Sequence, residues 1–95
     1  MLEIAYSLNE NVPYIIYSIG WAYFLTDDYE KAETYLKRAV ELMPDDAIVN
    51  DHYGDILWKL GRKIQARYFW KSVSKMEDVD EELLQKINQK IIKGL

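Results

Sequence analysis

Three neighbouring residues, Asp51, His52 and Asp55, are the clearest candidates for chemistry in this sequence of 95 residues. On a helix, Asp51 and Asp55 lie four positions apart on one face, with the imidazole beside them. A carboxylate pair next to an imidazole can bind a metal ion or move protons. However, His52 is the only histidine and cysteine is absent, so further nitrogen or sulfur ligands are lacking. We therefore interpret the three residues as polar positions on a groove wall, and we expect no metal or other cofactor.

Other motifs of catalysis are also missing from the sequence. None of its serines lies in a G-x-S-x-G pattern. It contains neither the G-x-x-x-x-G-K-[ST] loop nor the G-x-G-x-x-G loop that bind phosphates. The sequence therefore predicts a protein that is not an enzyme.

Basic residues recur every four positions near the middle of the chain, at Lys63, Arg67, Lys71 and Lys75. A row of this kind can contact nucleic-acid phosphates. Long cationic side chains on the outside of a helix also cover apolar surface with their stems. The net charge is −4, with 11 acids against 3 bases in residues 1–58 and 9 bases against 5 acids in residues 59–95. We favour a solvated helix face and keep nucleic-acid binding as an alternative, and the charge asymmetry is suited to steering a partner.

The elements that position these residues are predicted to be helices. Only 4 glycines and 2 prolines occur, which argues against a β-rich chain. Asp28, Asp46 and Asp80 are suited to N-caps, and Gly61 to a helix end. No apolar run is long enough to cross a membrane and no signal peptide is evident, so a cytoplasmic location without membrane contact is expected. The helices are predicted over 13–26, 29–42, 47–60, 63–76 and 80–93.

The two central helix pairs repeat at a constant spacing. The same shift along the sequence places Gly20 on Gly54 and Ala32 on Ala66. The signature W-x2-L-G-x2-Y, A-x3-F and P belongs to the tetratricopeptide repeat, whose period of roughly 34 residues equals this spacing. The second copy departs from the signature at two positions, Asn50 and Asp78. The sequence resembles a tetratricopeptide repeat protein, in particular the C-terminal end of longer bacterial members. The residues that carry the resemblance are Gly20, Tyr23, Ala32, Leu36, Ala39, Pro44, Gly54, Ala66 and Trp70.

This resemblance implies an all-α, right-handed solenoid of antiparallel helix pairs. Its small residues let two helices approach closely, while its large residues fill the space between repeats, and neighbouring repeats must stack to bury their faces. One domain of 95 residues is expected. Its parts are a half repeat (1–12), a first repeat (13–46), a second repeat (47–79) and a capping helix (80–95).

The beginning of the chain is expected to form an unfinished edge. Shifted forward by one repeat, Leu2 falls on Leu36 and Ala5 on Ala39, so residues 1–9 resemble the end of a second helix. Apolar residues there, including Leu2 and Tyr6, would be poorly covered. Exposed apolar surface marks interfaces, and we therefore expect self-association through this edge.

The resemblance also implies a concave groove, lined by the first helix of each repeat, that binds a peptide or helix of a protein partner. Tetratricopeptide domains that hold a chaperone's C-terminal carboxylate use lysines, asparagines and arginine, whereas the matching positions here are Tyr17, Trp21, His52, Glu82 and Lys86. We therefore expect a ligand of apolar and basic character, bound by an interaction scaffold; a structural or self-associating terminal piece of a solenoid is the first alternative. The expected groove residues are Tyr14, Tyr17, Trp21, Phe24, Asp51, Asp55, Trp58 and Lys59.

Overall fold

Five helices make up the fold, and no strand occurs among the residues that the computed structural model describes, 12–95. They are α1 (Val12–Leu25), α2 (Tyr29–Leu42), α3 (Ala47–Lys59), α4 (Lys63–Ser74) and α5 (Glu81–Lys93). Each of the five predicted helices is present, with ends within two residues of those predicted. The predicted half repeat at 1–12, with Leu2 and Tyr6, lies outside the described residues except for Val12.

Capping side chains explain where three of the helices begin. The carboxylate of Asp28 accepts from the Lys31 amide, that of Asp46 from the Val49 amide, and that of Asp80 from the Leu83 amide. Each aspartate therefore accepts a hydrogen bond from a first-turn amide that has no partner within its own helix. Gly61 follows α3 with φ of 84°, a left-handed conformation that favours glycine.

Helices that follow one another in the chain pack side by side, which gives two layers. The layer of first helices contains α1, α3 and α5, and the layer of second helices contains α2 and α4. The core lies between the layers and consists of apolar side chains from α2 to α5. Its largest fully buried side chains are Trp70, Leu36, Ile56, Leu57, Ile87, Val49 and Val73.

Two glycines set the distance between paired helices. A Cβ on Gly20 would meet the Leu36 side chain, and it would lie 2.8 Å from Tyr35 Cβ. A Cβ on Gly54 would lie 2.5 Å from Trp70 Nε1. A methyl group at either position would force the helices apart. Glycine therefore recurs in both helix pairs because the close packing of the helices requires it.

Asn50, where the second copy departs from the repeat signature, is buried, and its side-chain NH2 group is hydrogen-bonded. Its side-chain amide donates to the carbonyl oxygen of Pro44 at 3.0 Å and to that of Asp46 at 2.8 Å. A large apolar residue would leave these loop carbonyls without this donor. The amide therefore ties the loop before α3 to the helix itself.

Candidate functional site

Four stacked rings lie on the face of the first-helix layer, where α1 meets α3. The indole of Trp21 stacks on the imidazole of His52, with ring centroids 3.8 Å apart, and on Phe24 at 4.4 Å. Tyr17 also stacks on the imidazole, at 5.7 Å. We call Tyr17, Trp21, Phe24 and His52 the aromatic cluster. All four are partly buried, so their packing fixes the rings while leaving part of each accessible.

A hydrogen bond between Tyr17 and His52 links the two helices within the cluster. The Tyr17 hydroxyl lies 2.6 Å from Nδ1 of His52. Burial, followed by the charge of Asp46, raises the pKa of Tyr17 to about 12. Burial also lowers the pKa of His52, outweighing the opposite effect of Asp51. At neutral pH the pair therefore consists of an uncharged phenol and an uncharged imidazole.

Exposed apolar side chains extend the aromatic cluster toward the N-terminal ends of α1 and α3. Tyr14 is 51% exposed, and its hydroxyl donates to Oδ2 of Asp46 at 3.3 Å. Ile48, at the matching position of the second repeat, is also exposed. Together with the aromatic cluster, these residues give an accessible surface with anchoring rings and a neighbouring carboxylate.

The expected acidic wall of the groove is closed. Asp51 and Asp55 are only 4% and 7% exposed, because Lys90 of α5 lies over them. Its ammonium donates to Oδ1 of Asp51 at 2.7 Å and to both oxygens of Asp55, at 3.0 and 3.2 Å. Here the structure differs from the expectation of an open groove: the two carboxylates already have a cationic partner within the chain.

Beneath the ammonium, the Trp70 indole completes the pairing of these carboxylates. Its Nε1 donates to Oδ1 of Asp55 at 3.1 Å and to the backbone oxygen of Asp51 at 3.2 Å. We call Asp51, Asp55, Lys90 and Trp70 the Lys90 site. It joins α3, α4 and α5, and every buried polar side-chain atom among the described residues has a hydrogen-bond partner.

Electrostatics in the Lys90 site reflect two acids that share one base. Burial, together with the charge of Asp51, raises the pKa of Asp55 to about 6. Burial alone would lower the pKa of Lys90, but hydrogen bonds and charges from both aspartates raise it instead. Lys90 is therefore held firmly as a cation, whereas Asp55 carries an unfavourable charge at neutral pH.

Asp51, His52 and Asp55 carry side chains of the types that bind metal ions. Their ligand atoms lie within 4.8 Å of one another. In this arrangement the Lys90 ammonium occupies the position between the two carboxylates, and His52 is engaged by Tyr17 and Trp21. The donor set therefore holds an ammonium ion pair, and the residues do not form an open cation site.

At the far end of α3, Trp58 lies under cations and the C-terminus. The Lys63 ammonium and the Arg67 guanidinium each lie 5.0 Å from the centre of an indole ring. Arg67 also donates to the Ile91 carbonyl at 2.9 Å, and Gly94 packs directly on the ring. Two of the four residues in the basic row therefore contact Trp58 within the chain. The other exposed lysines of this region are Lys59, Lys71 and Lys75.

Sequence reasoning missed Lys90 as the partner of the acidic pair. One signal was available, because a shift back by one repeat places Lys90 on Ile56, which is fully buried. A lysine at a position that is buried in the preceding repeat requires a buried anion. Two aspartates one turn apart on the neighbouring first helix meet that requirement.

Comparison with known families agrees with this architecture. Residues 13–46, which span α1, α2 and the loop that follows, match the model of the tetratricopeptide repeat. The chain therefore contains a tetratricopeptide repeat. Repeats of this family generally mediate protein–protein interactions, through surfaces that stacked helix pairs create. No curated protein matches the chain. Among the helices that the structure describes, none combines the length and apolar character needed to cross a membrane.

Proposed function

We propose that this protein is a non-catalytic interaction module that binds an apolar and basic peptide or helix of a protein partner on the face of its first helices. The observation that carries the proposal is the aromatic cluster. Three adjoining rings stack at centroid distances of 3.8 and 4.4 Å across two helices, so they are ordered before any partner arrives. Preordered rings lose little conformational entropy on binding.

The surroundings of the cluster support a partner with positive charge. Asp46 lies beside Tyr14, and Asp45 is exposed next to it. Residues 1–58 contain 11 acids and 3 bases. Aromatic faces also attract cations. A peptide with an apolar side chain for the rings and a flanking lysine or arginine for Asp46 fits this surface.

The test is capture of partners from source-cell lysate by the immobilised protein, read by mass spectrometry. Trp21→Ala removes the central ring of the aromatic cluster, and Tyr68→Ala is the matched control because Tyr68 is an exposed aromatic on α4. We expect a set of proteins bound by the wild type and by Tyr68→Ala but lost with Trp21→Ala. Equal recovery by all three would reject the aromatic cluster as the binding surface, provided that circular dichroism shows both variants folded.

Self-association is a second candidate, favoured by an apolar strip on α1. Ile15 and Ile19 are exposed, and a cavity of about 300 Å³ is lined by Ile19, Ala22, Tyr23 and Thr26. The predicted edge residues Leu2 and Tyr6 lie outside the described residues. Light scattering over a concentration series tests this candidate: a dimer that Ile19→Lys dissociates supports it, and a monomer at every concentration up to the millimolar range rejects it.

A further inference from the structure

The C-terminal helix α5 is attached to the rest of the fold by few groups. Ile87 is its only fully buried side chain, with Leu83 and Ile91 partly buried against the core. Glu81, Glu82, Gln85 and Lys86 are exposed. Beyond these side chains, the attachment consists of the Lys90 hydrogen bonds, a hydrogen bond from Arg67 to the Ile91 carbonyl and the packing of Gly94 on Trp58. A terminal helix with one fully buried side chain is a candidate for local unfolding, because its neighbours lie on one side only.

Lys90 forms ion pairs with the carboxylates of two residues that line the first-helix face. Asp51 and Asp55 correspond, one repeat later, to Tyr17 and Trp21 of the aromatic cluster. The first-helix face therefore has two parts. The part between α1 and α3 is accessible, whereas the part between α3 and α5 is covered by Lys90. The ammonium lies within 3.2 Å of three carboxylate oxygens, which is close to the full coordination of one lysine.

From this geometry we infer that α5 is an autoinhibitory segment, whose Lys90 occupies the carboxylates that a lysine of a partner helix would otherwise bind. The inference rests on the proposed function, because it concerns the same face and the same basic class of partner. A partner helix that extends along this face past α3 must displace α5 before its own lysine reaches Asp51 and Asp55.

The chemistry of the Lys90 site determines which partner can displace α5. Removing the ammonium alone would leave two buried carboxylates without a counter-ion, which is strongly unfavourable. A replacement must therefore bring a cation into the same place. It must also present an apolar residue where Ile87 packs, so a helix with an apolar residue and a lysine three positions later is the form that substitutes for α5.

Release of α5 can be measured with a single thiol, because the sequence contains no cysteine. Ile87→Cys places the thiol under α5, and Val73→Cys places one in the fully buried core of α4. Under native conditions we expect a disulfide reagent to modify the Ile87→Cys protein at least about tenfold faster than the Val73→Cys protein. Equal rates would mean that α5 opens only when the whole domain unfolds, which would overturn the inference.

Two lysines of α5 provide a matched pair of second substitutions. Lys90→Met removes the ammonium from the Lys90 site, whereas Lys86→Met removes an exposed lysine 3.9 Å from Glu82. Added to Ile87→Cys, Lys90→Met should speed thiol modification at least about tenfold more than Lys86→Met does. The same acceleration by both would show that Lys90 does not hold the helix, and this result would also overturn the inference.

Competition by a peptide tests the inhibitory role directly. The probe is a synthetic peptide of residues 80–95, compared with the same peptide carrying Lys90→Met. Added to the Ile87→Cys protein, the first peptide should accelerate thiol modification several-fold by occupying the Lys90 site, and the second should not. No acceleration, or equal acceleration by both, would overturn the inference. Failure of the Trp21 capture experiment leaves these rates unchanged, so the two proposals are tested separately.

Discussion

The indole of Trp70 donates to the carboxylate of Asp55 at 3.1 Å, and the same indole leaves no space for a side chain at position 54. One residue of α4 therefore fixes both the spacing of the second helix pair and the position of a buried charge. Trp70 therefore contributes both to the helix packing of the repeat and to the electrostatics of the Lys90 site. Substitutions around it separate the two effects.

Gly54→Ala should destabilise the protein by about 1–2 kcal/mol, because overpacking of this kind costs about 1–3 kcal/mol. The new methyl group would lie 2.5 Å from Trp70 Nε1 and 3.1 Å from the Ala66 carbonyl oxygen. The gain of about 1 kcal/mol in helix propensity offsets only part of the cost. Urea unfolding, followed by circular dichroism, measures the change.

Gly61 provides the control for that substitution, because a Cβ there has no atom within 4 Å but φ is 84°. Gly61→Ala should cost about 1 kcal/mol from backbone strain, and Gly61→Asn less, since asparagine tolerates a left-handed conformation. At Gly54 asparagine should be no better than alanine. The opposite ranking at Gly54 would contradict a steric explanation.

The charge of Asp55 should make stability depend on pH with a defined sign. The pKa of Asp55 is raised by burial to about 6, above its ordinary value of 3.8. The folded state therefore holds this proton more tightly than the unfolded state, so the contribution of Asp55 to stability increases as pH falls from about 7 to about 4. A difference of this size corresponds to at most about 3 kcal/mol.

Asp55→Asn isolates this contribution from that of other groups. The amide keeps an oxygen for the Trp70 indole and carries no charge. The unfolding free energy of the variant, relative to that of the wild type, should therefore be higher at pH 8 than at pH 4, by up to about 3 kcal/mol. Asp78→Asn, at an exposed loop position, is the control. A difference between variant and wild type that stays constant with pH would show that Asp55 does not titrate in this range.

Periodicity sufficed to predict the helices and the close approach of their glycines. Gly20 and Gly54 recur at equivalent positions because each meets a side chain of its partner helix, and this requirement is local to one helix pair. Asp28, Asp46 and Asp80 could also be assigned as caps, because a cap acts within the first turn of its own helix.

The Lys90 site could not be predicted in the same way, because it joins residues 35 and 39 positions apart. The family resemblance assigned Asp51 and Asp55 to an open groove, and burial by another helix depends on how α5 docks. His52 illustrates the same limit. Its neighbours in sequence suggested a polar wall, yet its ring stacks on Trp21 of another helix.

Lys90→Met should be among the most destabilising substitutions in α5. It leaves Asp51 and Asp55 buried without a counter-ion, and breaking a buried pair costs roughly 3–5 kcal/mol. The cost should lie toward the lower end, because the Lys90 side chain retains 20% exposure and water can reach it. Chemical denaturation at pH 7 measures this value.

Removing the two acids together with the base tests that explanation. The triple variant Lys90→Met, Asp51→Asn and Asp55→Asn carries no unpaired charge and should recover at least half of the loss. Lys86→Met should stay within about 0.5 kcal/mol of the wild type, because its pair with Glu82 is exposed. If the triple variant is as unstable as Lys90→Met alone, packing of the lysine stem, and not charge, accounts for the loss.

The single histidine should report on both halves of the first-helix face. Burial lowers the pKa of His52 from its ordinary value of 6.5, the charge of Asp51 acts to raise it, and that of Lys90 acts to lower it further. Lys90→Met should therefore raise the pKa of His52, and Asp51→Asn should lower it. Because His52 is the only histidine, one imidazole proton resonance followed by NMR over pH 4–8 gives the value directly.

The pH dependence of stability gives a second measurement of the protonation of His52. A histidine whose folded pKa is lowered binds its proton less tightly when folded, so its contribution to stability is complete above its ordinary pKa of 6.5 and is lost as pH falls below that value. His52→Gln should abolish this loss, and Lys86→Met, far less buried than Lys90, should leave the resonance unchanged. A pKa that neither Lys90→Met nor Asp51→Asn moves would mean that the Lys90 site and the aromatic cluster are electrostatically independent.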